Sequence, residues 1–120
     1  KPYQKCCQPY LSGRSKPNTA LALMRSRFTA FYRKKTNYIK KTVKPPIDIS
    51  FENFDLIDDQ TAWLKLEILD IVKGGVTDDY GEVEFKAYYK QDSSASEILY
   101  IHERSIFNKI NSNWYYCDRK

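Results

Sequence analysis

Gly81-Glu82-Val83-Glu84-Phe85-Lys86-Ala87-Tyr88-Tyr89 is the stretch that decides the architecture. Val83, Phe85, Ala87 and Tyr89 fall on one face, and Glu82, Glu84, Lys86 and Tyr88 on the other. A period of two with one apolar side is the mark of a strand that is covered on one face and wet on the other. The same period appears upstream in Trp63-Leu64-Lys65-Leu66-Glu67-Ile68, where Leu64, Leu66 and Ile68 alternate with Lys65 and Glu67. Gly74-Gly75 and Asp78-Asp79 supply the turn between the two runs. Downstream, the spacing predicts a polar loop over 91–96, a third strand over 98–107, a turn over 108–113 and a closing strand over 114–118. Short polar turns between successive strands imply an antiparallel meander.

North of Pro45-Pro46 the period is 3.6 instead. Leu21, Met24, Phe28 and Phe31 recur at spacings of three and four, which predicts a helix over 19–34 capped by Asn18 or Thr19. Arg25 and Arg27 flank that stripe, and Arg33-Lys34-Lys35 suit the negative end of the helix dipole. A second helix is expected over 37–43, and Ser50 is placed to cap a further turn carrying Phe51, Phe54 and Ile57. The expected fold is therefore α+β, with N-terminal helices packed on a curved antiparallel sheet of four or more strands. Residues 1–18, punctuated by Pro2, Pro9, Gly13 and Pro17, read as an irregular lead-in, and residues 19–120 as one domain.

A chain of 120 residues with 42% hydrophobic residues suits one core and is too apolar for disorder. No apolar run approaches the ~20 residues of a membrane span, and no signal peptide is apparent. The chain opens on Lys1, which reads as a piece or a processed form of a longer protein. Three cysteines, two of them adjacent at Cys6 and Cys7, point to a reduced, cytoplasmic protein. Charge is unevenly spread: residues 1–45 carry +12 without one acid, and residues 46–120 carry −7. Either the basic helices sit beside an acidic sheet rim, or they face a polyanion. Because the basic residues alternate with core-type residues, the internal reading is preferred and nucleic acid is not the expected partner.

The strings themselves resemble the YchJ-like family of proteins that carry SEC-C zinc motifs. Lys1-Pro2-Tyr3-Gln4-Lys5-Cys6-Cys7 is similar to the second half of an SEC-C motif, and Leu23-Met24-Arg25-Ser26-Arg27-Phe28, His102-Glu103-Arg104-Ser105 and Trp114-Tyr115-Tyr116-Cys117-Asp118 are similar to strings of the family. The resemblance implies a cone similar to nuclear transport factor 2. It also implies zinc in the full-length protein, held in part by Cys6 and Cys7, with no cofactor expected in this chain alone. Two departures stand out: Thr42-Val43-Lys44-Pro45 lacks the family's Trp-His, and Ile106 follows Ser105 where a basic residue is usual. A catalytic role carried through that histidine is thereby lost. SEC-C motifs contact partner proteins in the preprotein translocase motor, so a binding or adapter role is the first expectation. A cone pocket for a small molecule, of isomerase or dehydratase type, is the alternative.

No nucleophile elbow, zinc-protease helix or phosphate-cradling glycine loop is present. The single histidine, His102, alternates onto the wet face with Tyr100 and Arg104. Glu103 alternates onto the covered face with Ser105 and Phe107, and a carboxylate there needs a cation. Arg25 and Arg27 are the expected partners, with Ser105 and Tyr116 completing a polar group that is either a structural ion pair or the floor of a pocket.

Overall fold

The computed structural model describes residues 8–13, 15–44 and 61–120. Its order is α1 (Gln8–Leu11), α2 (Ala20–Tyr32), α3 (Thr36–Lys41), then β1 (Ala62–Lys73), β2 (Tyr80–Lys90), β3 (Leu99–Ile110) and β4 (Asn113–Arg119). The strands form one sheet in the order β1-β2-β3-β4, every pair antiparallel. The α+β meander expected from the change of period is thus present. The expected turn around Ser50, and the Cys6-Cys7 pair, lie outside the described residues.

Helix α2 begins where Thr19 leaves the extended region and its Oγ1 accepts from the Ala22 amide at 3.0 Å. It ends at Tyr32 with Arg33 as its cap, and the next residue, Lys34, adopts a left-handed φ of 60°. That conformation costs roughly 1–2 kcal/mol without a glycine, and the Lys34 Nζ bond to the Thr61 carbonyl at 2.6 Å helps to hold it. The helix buries Ala20, Leu23, Met24, Ser26, Arg27 and Ala30. This is a wider arc than the Leu21–Phe31 stripe, because α2 is covered on two sides: by the sheet, and by α3 with Tyr38 and Ile39. The main core gathers Leu23, Met24, Trp63, Val83, Phe85, Phe107, Trp114 and Tyr116. Burying a side chain such as Leu23 or Phe107, each at or below 1% exposure, stabilises by roughly 1.5–3 kcal/mol.

Two features set the curvature and the placement of the helix. In β1 the pairing slips between Trp63 and Lys65 and again between Ile68 and Asp70. Leu64 and Leu69 are the extra residues and stand 42% and 43% exposed, so Leu64 does not share the covered face that simple alternation gives it. Bulges of this kind bend and twist a strand. At the β1–β2 turn, Gly74 adopts φ +79°, accepts the Ala20 amide at 2.9 Å and leaves no room for a side chain: a Cβ there would lie 2.7 Å from the Cβ of Ala20. The start of α2 is pinned to the hairpin by this contact.

The second helix is shorter than expected. It stops at Lys41, and the next residues run along the sheet edge, with Tyr116 N donating to Thr42 O at 2.8 Å and Lys44 N to Tyr116 O at 3.0 Å. The turn expected over 108–113 is also tighter. Asn111 and Ser112 both adopt positive φ, a two-residue hairpin turn whose twist matches the strands, so β3 continues to Ile110.

Candidate ligand recess between the long helix and the sheet

Met24, Phe28 and Phe31 of α2 overhang a recess floored by Trp63, Phe85, Ile101, Glu103, Ser105 and Tyr116, with Arg119 also in its lining and a cavity of about 80 Å³ inside. Trp63 organises the apolar end: its ring lies 5.9 Å from Phe28, 5.7 Å from Phe31 and 5.2 Å from Tyr89, the first two edge-on. Edge-to-face contacts of this kind lock ring orientation as well as burying area.

The polar corner is built on β3 and β4. Glu103 Oε2 accepts from the Tyr116 hydroxyl at 2.9 Å and from the Ser105 hydroxyl, while Oε1 lies 3.6 Å from Arg119 Nη1. The side chain of Glu103 is 15% exposed and that of Arg119 40%. Strict alternation would turn Tyr116 and Arg119 to opposite faces. The pairing slips, however: Phe107 faces Tyr116, Ile106 faces Asp118 and Ser105 faces Arg119, leaving Cys117 as the extra residue. That slip delivers Arg119 to Glu103.

Arg25 and Arg27 therefore do not supply the ion pair drawn from the sequence; Arg119 does. Arg25 is exposed. Arg27, 3% exposed, sends Nη1 to the Ile39 carbonyl at 2.9 Å and to Thr42 Oγ1 at 2.6 Å, and its guanidinium sits 5.0 Å from the centre of the Tyr116 ring. It reaches the corner through that ring face rather than through the carboxylate. Glu103, Ser105, Tyr116 and Arg27 all line the recess.

On the opposite face of the sheet, Arg104 binds Asp70 at 2.6 Å, Glu82 at 3.1 Å and Glu84 at 2.7 Å, and His102 Nε2 meets Glu84 at 2.7 Å. The Arg104 hydrogen bond holds the Asp70 carboxyl below its ordinary range. Glu82 is held low by the Tyr80 hydroxyl and by Lys120, and Glu84 by His102 and then Arg104. The guanidinium of Arg104 is pushed up in return. This network orients His102 outward, away from the recess.

Among the described residues, no three His, Cys, Asp or Glu side chains converge as a metal site would require. Cys117 is a fully buried free thiol whose Sγ is 3.5 Å from the Tyr115 carbonyl of its own strand.

A meander closed by a long helix, with a recess between them that is aromatic at one end and ionic at the other, defines the cone class of nuclear transport factor 2-like domains. Residues 19–119 match the family described as YchJ, middle NTF2-like domain, and the chain belongs to that family. It is 35% identical to a UPF0225 protein of Serratia proteamaculans over 118 residues, covering 97% of this chain and 75% of the relative. It is 38% identical to a UPF0225 protein of Corynebacterium glutamicum over 114 residues, covering 95% and 86%. Among solved structures, the SEC-C motif containing protein of Rhodopseudomonas palustris superposes with a TM-score of 0.82 at 30% identity, covering 100% of this chain and 91% of that one. A SEC-C motif containing protein of Psychrobacter arcticus gives 0.75 at 35%, covering 97% and 70%. The resemblance and the fold drawn from the sequence are confirmed; no reaction comes with either.

Proposed function

We propose that the domain binds a small molecule in the recess, with an aliphatic part held by the aromatic wall and a polar head at Glu103 and Arg119. The observation that carries this reading is the Glu103 carboxylate, fixed by two hydroxyls at one end of an otherwise apolar recess. The cavity of about 80 Å³ exceeds the ~10–15 Å³ that admits one water and falls short of the ~150 Å³ cavity that takes benzene. A short branched chain fits inside, and the head remains at the mouth. One carboxylate beside one guanidinium suits a neutral head that both accepts and donates, an amide or an alcohol. The lining holds no histidine and no second carboxylate among the described residues, so the groups present are those of binding rather than of paired acid–base catalysis.

The probes are isobutyramide and isobutanol, compared with isovalerate and isoamylamine and followed by Trp63 fluorescence in a Trp114→Phe background. Saturable quenching by the neutral probes, removed by filling the recess with Ile101→Phe, supports the reading. No saturable response at millimolar probe, or one that survives Ile101→Phe, rejects it.

A second reading attaches to the lead-in. Cys6-Cys7 and the similarity to two SEC-C motif containing proteins support a zinc-held contact with a partner protein in the cytoplasm. Zinc analysis of the full-length protein, followed by pull-downs with and without chelator, tests it: a partner retained equally without zinc argues against it.

A further inference from the structure

The acid-free front half leaves a second cavity, and its chemistry differs from that of the recess. It measures about 240 Å³ and lies between the lead-in, α3 and the β3–β4 turn, with Tyr10, Lys16, Lys41, Trp114 and Tyr115 in its lining and no Asp or Glu among the described residues there. Lys16 and Lys41 are exposed. Neither they nor Lys44 has a carboxylate partner among the described residues. The Lys41 and Lys44 amines rest over the rings of Tyr38 and Tyr115, 5.4 and 5.0 Å from the centroids. The ion pairs between described residues belong to His102, Arg104, Arg119 and Lys120. Among the described residues, the ion pairs of the acidic sheet face thus come from the back half of the chain.

Trp114 is the natural reporter of this cavity: it stands in the lining while only 3% exposed, and its Nε1–H is closed to solvent with no hydrogen-bond partner among the described residues.

We propose that this second cavity binds a small phosphate-bearing molecule, a phosphomonoester, with its oxygens between Lys16 and Lys41 and the indole of Trp114 in its wall. Two lysines acting as point charges suit a dianion with several acceptor oxygens. The described lining holds no carboxylate to oppose it, and aromatic walls lower the local dielectric and strengthen the attraction. The site is separate from the Glu103 recess, so either reading can fail without the other.

The test follows the two indole N–H signals of Trp63 and Trp114 by NMR in the full chain, at low and high salt. The titrants are inorganic phosphate and glycerol phosphate, with glycerol as the neutral control. A saturable shift of Trp114 with Trp63 unmoved is expected, together with affinity lowered about fivefold by Lys16→Gln or Lys41→Gln and more by both. Three results would overturn the proposal: a Trp114 signal that does not move, one that moves equally with sodium chloride at matched ionic strength, or affinity unchanged in the double variant. Preferential binding of a short oligoribonucleotide over glycerol phosphate, lost in the same variants, would also overturn it and assign the surface to nucleic acid.

Discussion

The Tyr116 hydroxyl donates to Glu103 at 2.9 Å while its ring face receives Arg27 at 5.0 Å, so one aromatic side chain separates the buried cation from the carboxylate. Each charge is satisfied by different partners, and the variants at this corner should behave differently from those of a closed ion pair.

Glu103→Gln should destabilise by only about 1 kcal/mol, because Arg119 is 40% exposed and water replaces the lost partner. Tyr116→Phe should cost about 1.5–3 kcal/mol, the range for a hydrogen bond to a charged group. Denaturant melts measure both. A loss of 3–5 kcal/mol for Glu103→Gln would show the carboxylate to be part of a sealed ion pair.

Arg27→Met should destabilise by roughly 1–3 kcal/mol, since it removes the donor to the Ile39 carbonyl and Thr42 Oγ1 inside the helix pair. Arg25→Ala, at an exposed position, should cost distinctly less. Equal losses in urea melts would contradict the assignment of Arg27 as the buried member.

Gly74→Ala should cost about 2–4 kcal/mol, combining left-handed backbone strain with a forced clash against Ala20. Gly13→Ala is the comparison: it shares a positive φ, but a Cβ there meets nothing within 4 Å. It should lose only the backbone part, about 1–2 kcal/mol. Thermal melts of the two variants separate strain from contact.

The acidic face gives a pH dependence. Asp70, Glu82 and Glu84 are held below their ordinary values of 3.8, 4.5 and 4.5. Groups depressed in the folded state contribute stability that is present above those values and is lost as pH falls through the folded ones. The melting temperature should therefore hold down to about pH 5 and fall below about pH 4. Arg104→Met should flatten that fall, and 1 M salt should shrink it. An unchanged acid limb in Arg104→Met would reject the network as its source.

Much of this fold could be read directly. The alternation of Val83, Phe85, Ala87 and Tyr89 gives β2 its covered face, and the same logic puts Glu103 inside and His102 outside. Register slips were not legible. Nothing local marks Leu64, Leu69 or Cys117 as extra residues, since a bulge is decided by what the neighbouring strand requires. A period of two cannot bring Arg119 to Glu103 for that reason, and Arg27 falls at the flank of the apolar stripe because the second layer over α2 comes from α3. The lysine-lined cavity needed the whole fold, which brings Lys16, Lys41 and Trp114 together from three separate segments.

The Ala20–Gly74 contact also bears on how the chain reaches its native state. Each strand pairs with its predecessor, so the sheet can grow by successive local hairpins with little loop closure at any step. The helix has to find its seat across roughly fifty residues of sequence, and that seat exists only once the β1–β2 turn has formed. Docking of α2 then becomes the late, non-local step. Substitutions at Ala20 would register chiefly in the unfolding rate, and those along β2 in the folding rate.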